Sequence, residues 1–127
     1  MIQIAVSTGE LLDKVSILNI KLLKITDPIK YNKVADETNI LEPLAHQFMQ
    51  NWEIEKLYDK LYEVNLSLWT VEDELREIEK EGTFDSKFIA LARSVYYLND
   101  ERSELKGEIN RLTDSEIVEV KSYTNYQ

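Results

Sequence analysis

The chain has no cysteine, which excludes disulfides, thiol nucleophiles and cysteine-ligated metals and fits a reducing compartment. A single histidine, His46, leaves no basis for a histidine metal site or an imidazole proton relay. Glycine is limited to three residues and proline to two, so each one marks a place where the chain turns, caps a helix or approaches another segment closely. No apolar run reaches the roughly 20 residues of a membrane span. The apolar opening MIQIAV lacks a basic flank, so neither an anchor nor a secretory leader is expected, and a cytoplasmic location is. Positive charge is outnumbered, with 15 Lys and Arg against 24 Asp and Glu and a net charge of −9. Nucleic acid and anionic membranes are engaged first by clustered cations, so no nucleic acid and no membrane are expected as partners.

Against these absences stand two long apolar stripes. Ile54, Leu57, Leu61, Val64, Leu68, Val71, Leu75 and Ile78 step by three and four, and beyond Gly82 so do Phe88, Leu91, Val95, Leu98, Arg102, Leu105, Ile109 and Leu112. That spacing is the seam of helices packed knobs into holes, and Arg102 stands where a hydrophobe belongs. With 127 residues, 43% hydrophobic and 31% charged, the chain has room for one helical domain over residues 1–127 and one modest core. The expected fold is all-α: a long antiparallel helical hairpin with a third helix packed along it.

Local signals divide the chain. Ser7 with Glu10 reads as a capping box and Val6 with Leu11 as its hydrophobic staple, opening a first helix over about residues 8–25. Asp27 followed by Pro28 starts a weaker second helix that should end before Pro43, with residues 44–51 as a connector. The third helix should run over about 52–81 to the Gly82 cap, and Asp85 should start the fourth. So short a turn makes the two long helices antiparallel neighbours. Alternation at Ile2, Ile4 and Val6, and again at Val118 and Val120, suggests that the chain ends pair as a short β-ribbon. Gly107, inside the fourth helix, suggests a close approach there by another segment or subunit.

Residues of an antiparallel hairpin whose numbers sum to about 166 lie at one height. This separates Glu74 and Glu77 from Glu101 and Glu104 by roughly 20 Å, so that quartet is not expected to share a metal ion and no metal site is expected. The same geometry brings other polar groups together. Asn99, Arg102 and Lys106 share one face, with Glu63 and Asn65 level with Arg102, Asp59 with Lys106, and Glu72 or Asp73 with Arg93. One reading is a set of interhelical ion pairs and a register-fixing arginine. The other is a cleft closed by the first helix, whose Glu10, Asp13, Lys14 and Lys21 join Arg102 and Lys106 around an anionic group that a guanidinium fork would grip. The Gly9 amide at the start of that helix could add to such a site. Trp69, Tyr96 and Tyr97 lie near one level and could form a stacking platform. The cofactor, if any, is not specified by these residues.

The strings STGELLDKVSILNIKL (7–22), ITDP (25–28), LWTVEDELREIE (68–79), FIALARSVYYLNDERSELKGEIN (88–110) and EVKSY (119–123) resemble a small family of unknown function. The resemblance implies kin among bacterial proteins, some beside glycosyltransferase-type or repeat segments, and among tailed phages of marine bacteria. It supplies no catalytic residues. A looser likeness of ELLDKVSILNIKLL to the first helix of helical chorismate mutases fails, because lysines stand where that family uses arginines. Two functions are therefore expected in competition. One is a small intracellular binding or interaction module, homodimeric and phage-encoded, and the other is an enzyme or binding protein for an anionic or nucleotide-like metabolite at Arg102.

Overall fold

The computed structural model describes residues 1–127 and contains four α-helices and no strand. They are α1 (Thr8–Lys24), α2 (Pro28–Phe48), α3 (Trp52–Glu81) and α4 (Ser86–Leu112). Each starts at a side chain that accepts an otherwise orphaned amide: Ser7 from Glu10, Asp27 from Ile29, Asn51 from Glu53 and Asp85 from Lys87. Gly82 ends α3 at φ 76°, a left-handed conformation that glycine adopts without a Cβ penalty.

Two expectations about local structure are corrected. α2 does not stop before Pro43 but runs through it to Phe48, and only a short turn, not an eight-residue connector, leads to α3. Pro43 lies on the exposed side of α2, where the carbonyl it leaves unpaired can be solvated, while Thr38 and Ala45 hold the opposite side against the protein. The chain ends form no β-ribbon. Residues 1–6 and 116–123 are irregular and exposed, because two isolated strands are marginal and here side chains rather than a ladder join them.

α1 is the central element. It packs on α2, α3 and α4, and seven of its residues are buried. Its apolar side enters one cluster: Leu12 and Val15 meet Ala45 of α2, Ile54, Leu57 and Leu61 of α3, and Ile109 of α4. Each fully buried Leu or Ile in that cluster contributes about 1.5–3 kcal/mol. α3 and α4, separated by residues 82–85, pack along one another, but their stripes are buried only near α1. No residue of α3 beyond Asn65 and none of α4 before Ile109 is fully buried. The stripe residues Leu68 to Ile78 and Phe88 to Leu98 are half-buried, since α1 and α2 are too short to cover them. No helix is long and apolar enough to cross a membrane.

Candidate functional site

The candidate site is built where α1 crosses α3 and α4. Gly9, in the first turn of α1, makes the crossing close: a Cβ there would stand 2.5 Å from the Lys106 carbonyl oxygen and 2.9 Å from Asn110 Oδ1. The Gly9 amide donates to Asn110 Oδ1 at 2.6 Å, so a donor that helix geometry leaves open is satisfied by the neighbouring helix. No other segment of the chain makes the close approach expected at Gly107, where a Cβ would meet nothing within 4 Å. The sequence marked both glycines; which one lies at a crossing depends on packing.

From that contact, α1 and α4 run past each other through two ion pairs. Lys106 Nζ donates to Glu10 Oε2 at 2.6 Å. One turn further, Arg102 grips Asp13 with both prongs of its fork, Nε to Oδ1 at 2.8 Å and Nη2 to Oδ2 at 2.5 Å. Asp13 is 1% exposed and Arg102 30%, so the acid is enclosed while part of the guanidinium faces out. Asn65 of α3 completes the enclosure, its Nδ2 donating to Asp13 Oδ1 at 2.9 Å and to Ser16 Oγ at 2.7 Å. Ser16 in turn donates to the Asp13 carbonyl. The network has no buried polar atom without a partner. The bond from Asp13 raises the Arg102 pKa further above its ordinary value, outweighing the opposing effect of partial burial.

The expected pairings are replaced. Arg102 pairs with Asp13 rather than Glu63, and Lys106 with Glu10 rather than Asp59, because α1 lies in the groove between the long helices and presents its acids first. Glu10 is thereby drawn to Lys106, and the return arm of the capping box to the Ser7 amide is absent. Arg93 does not reach Glu72: it is exposed and donates to the Tyr96 hydroxyl, while Glu72 pairs with Arg76 on its own helix. Lys14 points to α2, where it meets Glu37 at 3.2 Å on the surface, and Lys21 makes no ion pair. Of the predicted site residues, the structure brings Glu10, Asp13, Arg102 and Lys106 into one network and sets Asn99 and Glu72 along the same cleft as Arg102, while Lys14, Lys21 and Arg93 lie elsewhere.

Beside this network is an open cleft of about 530 Å³. Ile17, Ile20 and Leu68 give it an apolar floor, Trp69 a wall, and Asn99 and Arg102 a polar edge. Asp73 and the Glu72–Arg76 pair also line it, so the charges on its walls largely cancel. Tyr96 and Tyr97 do not join Trp69 in a platform. They stack with Tyr126 of the C-terminal tail at centroid distances of 4.9 and 5.1 Å, and the Tyr126 hydroxyl bonds the Asp100 carboxylate. No cluster of acids or histidines suited to a metal ion is present.

Ser16, Asn110 and Glu119 were not singled out from sequence. Asn110 bridges the Gly9 amide to the tail, its Nδ2 donating to Glu119 Oε2 at 3.3 Å. Glu119 also accepts from Ser7 Oγ at 2.6 Å. Partial burial raises the Glu119 pKa, but the Ser7 bond, its own main chain, Lys106 and Asn110 together outweigh that and hold the carboxyl below its usual range. The only signal for Asn110 was a polar residue directly beside the buried Ile109, and for Glu119 a charge inside an otherwise β-branched run.

Comparison with known proteins places the chain in a family. A model described as a family of unknown function, DUF6165, matches residues 2–126, and the chain belongs to that family. Neither the curated proteins nor the solved structures give a match.

Proposed function

We propose that this chain is a small intracellular binding or interaction module that works as a homodimer, with α3 and α4 as an antiparallel hairpin whose uncovered length offers contact surface. The observation that carries this reading is surface. The folded chain exposes 8940 Å², whereas a monomer of 14.9 kDa is expected to expose about 7,000 Å². The excess is roughly twice the 800 Å² that each partner contributes to a standard interface. It is rich in large apolar side chains, among them Trp52, Phe84, Ile89 and the β-branched residues of the chain ends. Meanwhile the two cations best placed to hold an anion are each paired to an acid of α1, which favours a structural part for them. The resemblance to proteins of bacteria and tailed phages supports a cytoplasmic, phage-encoded setting.

A second reading, binding of or action on an anionic or nucleotide-like metabolite in the cleft, is favoured by one detail. Arg102 uses Nε and Nη2 on Asp13 and Nη1 makes no hydrogen bond, while Arg102 and Asn99 both line the cleft. No nucleophile with an adjacent base accompanies it, so the enzymatic form of this reading has no reacting group to assign. Light scattering on the eluting chain at micromolar concentration tests the first reading. A mass about twice 14.9 kDa is expected, and a monomer across that range would overturn it.

A further inference from the structure

Asn65 is only 5% exposed, yet half of its amide is unused. Its Nδ2 donates to both Asp13 Oδ1 and Ser16 Oγ, while no group donates to its Oδ1. Chemistry fixes that orientation, because Asp13, held by Arg102, offers only acceptors and the amide nitrogen must face it. Every fully buried polar side-chain atom has a partner, so the lone Oδ1 keeps a path to solvent, and the space that Asn65 lines is the cleft. An acceptor this close to burial and without a donor is one that a bound N–H group would satisfy.

Other unused groups line the same space. Asn99, half-buried on α4, makes no side-chain hydrogen bond, so its amide offers a donor and an acceptor together. Trp69 stands one turn beyond Asn65 on the same face of α3, and its indole stacks on no other ring. Charge is what the cleft does not offer. Arg102 is paired with Asp13 and Arg76 with Glu72, and the remaining charge on the walls is an acid, Asp73. An anion would therefore meet no unpaired cation and one unpaired carboxylate.

We infer that the cleft binds a neutral, planar nitrogen heterocycle of the nucleobase class, its face on Trp69, an N–H donating to Asn65 Oδ1 and a donor–acceptor edge paired with the Asn99 amide. This deepens the metabolite reading of the cleft and rests on it; the homodimer reading is independent of it. The apolar floor and the indole call for a flat ring, since every base presents a π-face to an aromatic side chain. An Asn amide is matched bidentately by a base edge such as that of adenine. A purely aliphatic ligand would cover Asn65 Oδ1 and leave it unpaired, and a phosphate or carboxylate would bring a second acceptor to it. A volume of about 530 Å³ lies within the roughly 300–1,000 Å³ of small-molecule sites. A nucleoside, rather than a nucleic acid strand, is the source that the net charge of −9 favours.

The test uses the 127-residue chain carrying Trp52→Phe, which removes an exposed residue outside the cleft and leaves Trp69 as the one tryptophan. Adenosine, guanosine, cytidine and uridine, each beside its monophosphate ester, are titrated to millimolar concentration, with Trp69 fluorescence and isothermal titration calorimetry as readouts. The expected result is saturable quenching by at least one nucleoside, with a calorimetric affinity that agrees and a monophosphate that binds no more tightly. Asn99→Ala should weaken that binding about tenfold or more while the melting temperature is kept, because the fold gives this amide no partner to lose. Binding that Asn99→Ala leaves unchanged, or a monophosphate that binds more tightly than its nucleoside, would overturn the proposal. If no nucleoside binds but inorganic phosphate raises the melting temperature in an Asn99-dependent way, the heterocycle falls and the metabolite reading stands. If neither binds, both fall.

Discussion

A methyl group at Gly9 has no room, and replacing that glycine by alanine reports directly on how α1 is seated. The added Cβ would lie 2.5 Å from the Lys106 carbonyl oxygen. That oxygen belongs to the backbone of α4, so it cannot swing aside as a side chain could. Restoring an ordinary contact of 3.4 Å requires the two helices to separate by roughly 0.9 Å at their closest point. Overpacking of this kind costs about 1–3 kcal/mol, and stretching the Gly9 to Asn110 hydrogen bond adds about 1 kcal/mol. Alanine returns up to about 1 kcal/mol through its better helix propensity. The net expectation is a loss of about 2 kcal/mol, a fall of roughly 8 °C in melting temperature for a domain of this size. Gly107→Ala is the internal control: it makes the same chemical change inside α4 with nothing within 4 Å, and it should stabilise by about 0.5–1 kcal/mol. Urea denaturation followed by circular dichroism reads both. A Gly9→Ala chain as stable as the parent, or a Gly107→Ala chain as damaged as Gly9→Ala, would refute the close crossing.

Two further outcomes follow from the network around that crossing. Because the folded state holds Glu119 below the usual carboxylate range, its contribution is present above the unfolded value of about 4.3 and is lost as pH falls through the lowered folded value. Proteolysis of residues 116–127 should therefore accelerate on acidification below about pH 4. In Glu119→Gln the tail should be cut faster already at neutral pH, and an unchanged cutting rate there would refute the clasp. Inorganic phosphate and simple carboxylates should shift the melting temperature by no more than a chloride control of equal ionic strength, since Arg102 and Lys106 are already paired. A rise abolished by Asn99→Ala, a residue with no hydrogen-bond partner in the network, would restore the metabolite reading of the cleft.

Much of this arrangement was legible in the chain, and the rest failed for identifiable reasons. The caps at Ser7, Asp27, Asp85 and Gly82 are local chemistry, so the helix starts and the α3 end could be read from a few residues each. Arg102 was visible as a polar residue in an apolar seam, with Asn65 level with it and Asp13 on the helix expected to close over it. Their pairing was not, because a height rule for two helices cannot see that a third enters the groove and offers Asp13 before Glu63 can reach. Pro43 was read as a stop because proline costs about 3 kcal/mol inside a helix, a local cost that cannot see the contacts by which Thr38 and Ala45 hold α2 against the protein and carry it through. The stripes of α3 and α4 show which side faces inward, but not that α1 and α2 end too soon to bury Leu68 to Ile78. Alternation in the chain ends indicates strand character, and a strand still needs a neighbour to form one.

Arg102 is held by Asp13 as part of the fold and is not kept free for an anion. A double-mutant cycle with Asp13→Leu and Arg102→Leu, read by chemical denaturation, measures this coupling. Arg102→Leu alone leaves a buried carboxylate without its countercharge and should cost about 3–5 kcal/mol, as should Asp13→Leu through the orphaned guanidinium and Asn65 amide. The double variant should lose less than the sum of the two single losses, the difference being a coupling of about 2 kcal/mol or more. Losses that simply add would contradict the account, because they would show a guanidinium whose charge is not engaged by Asp13.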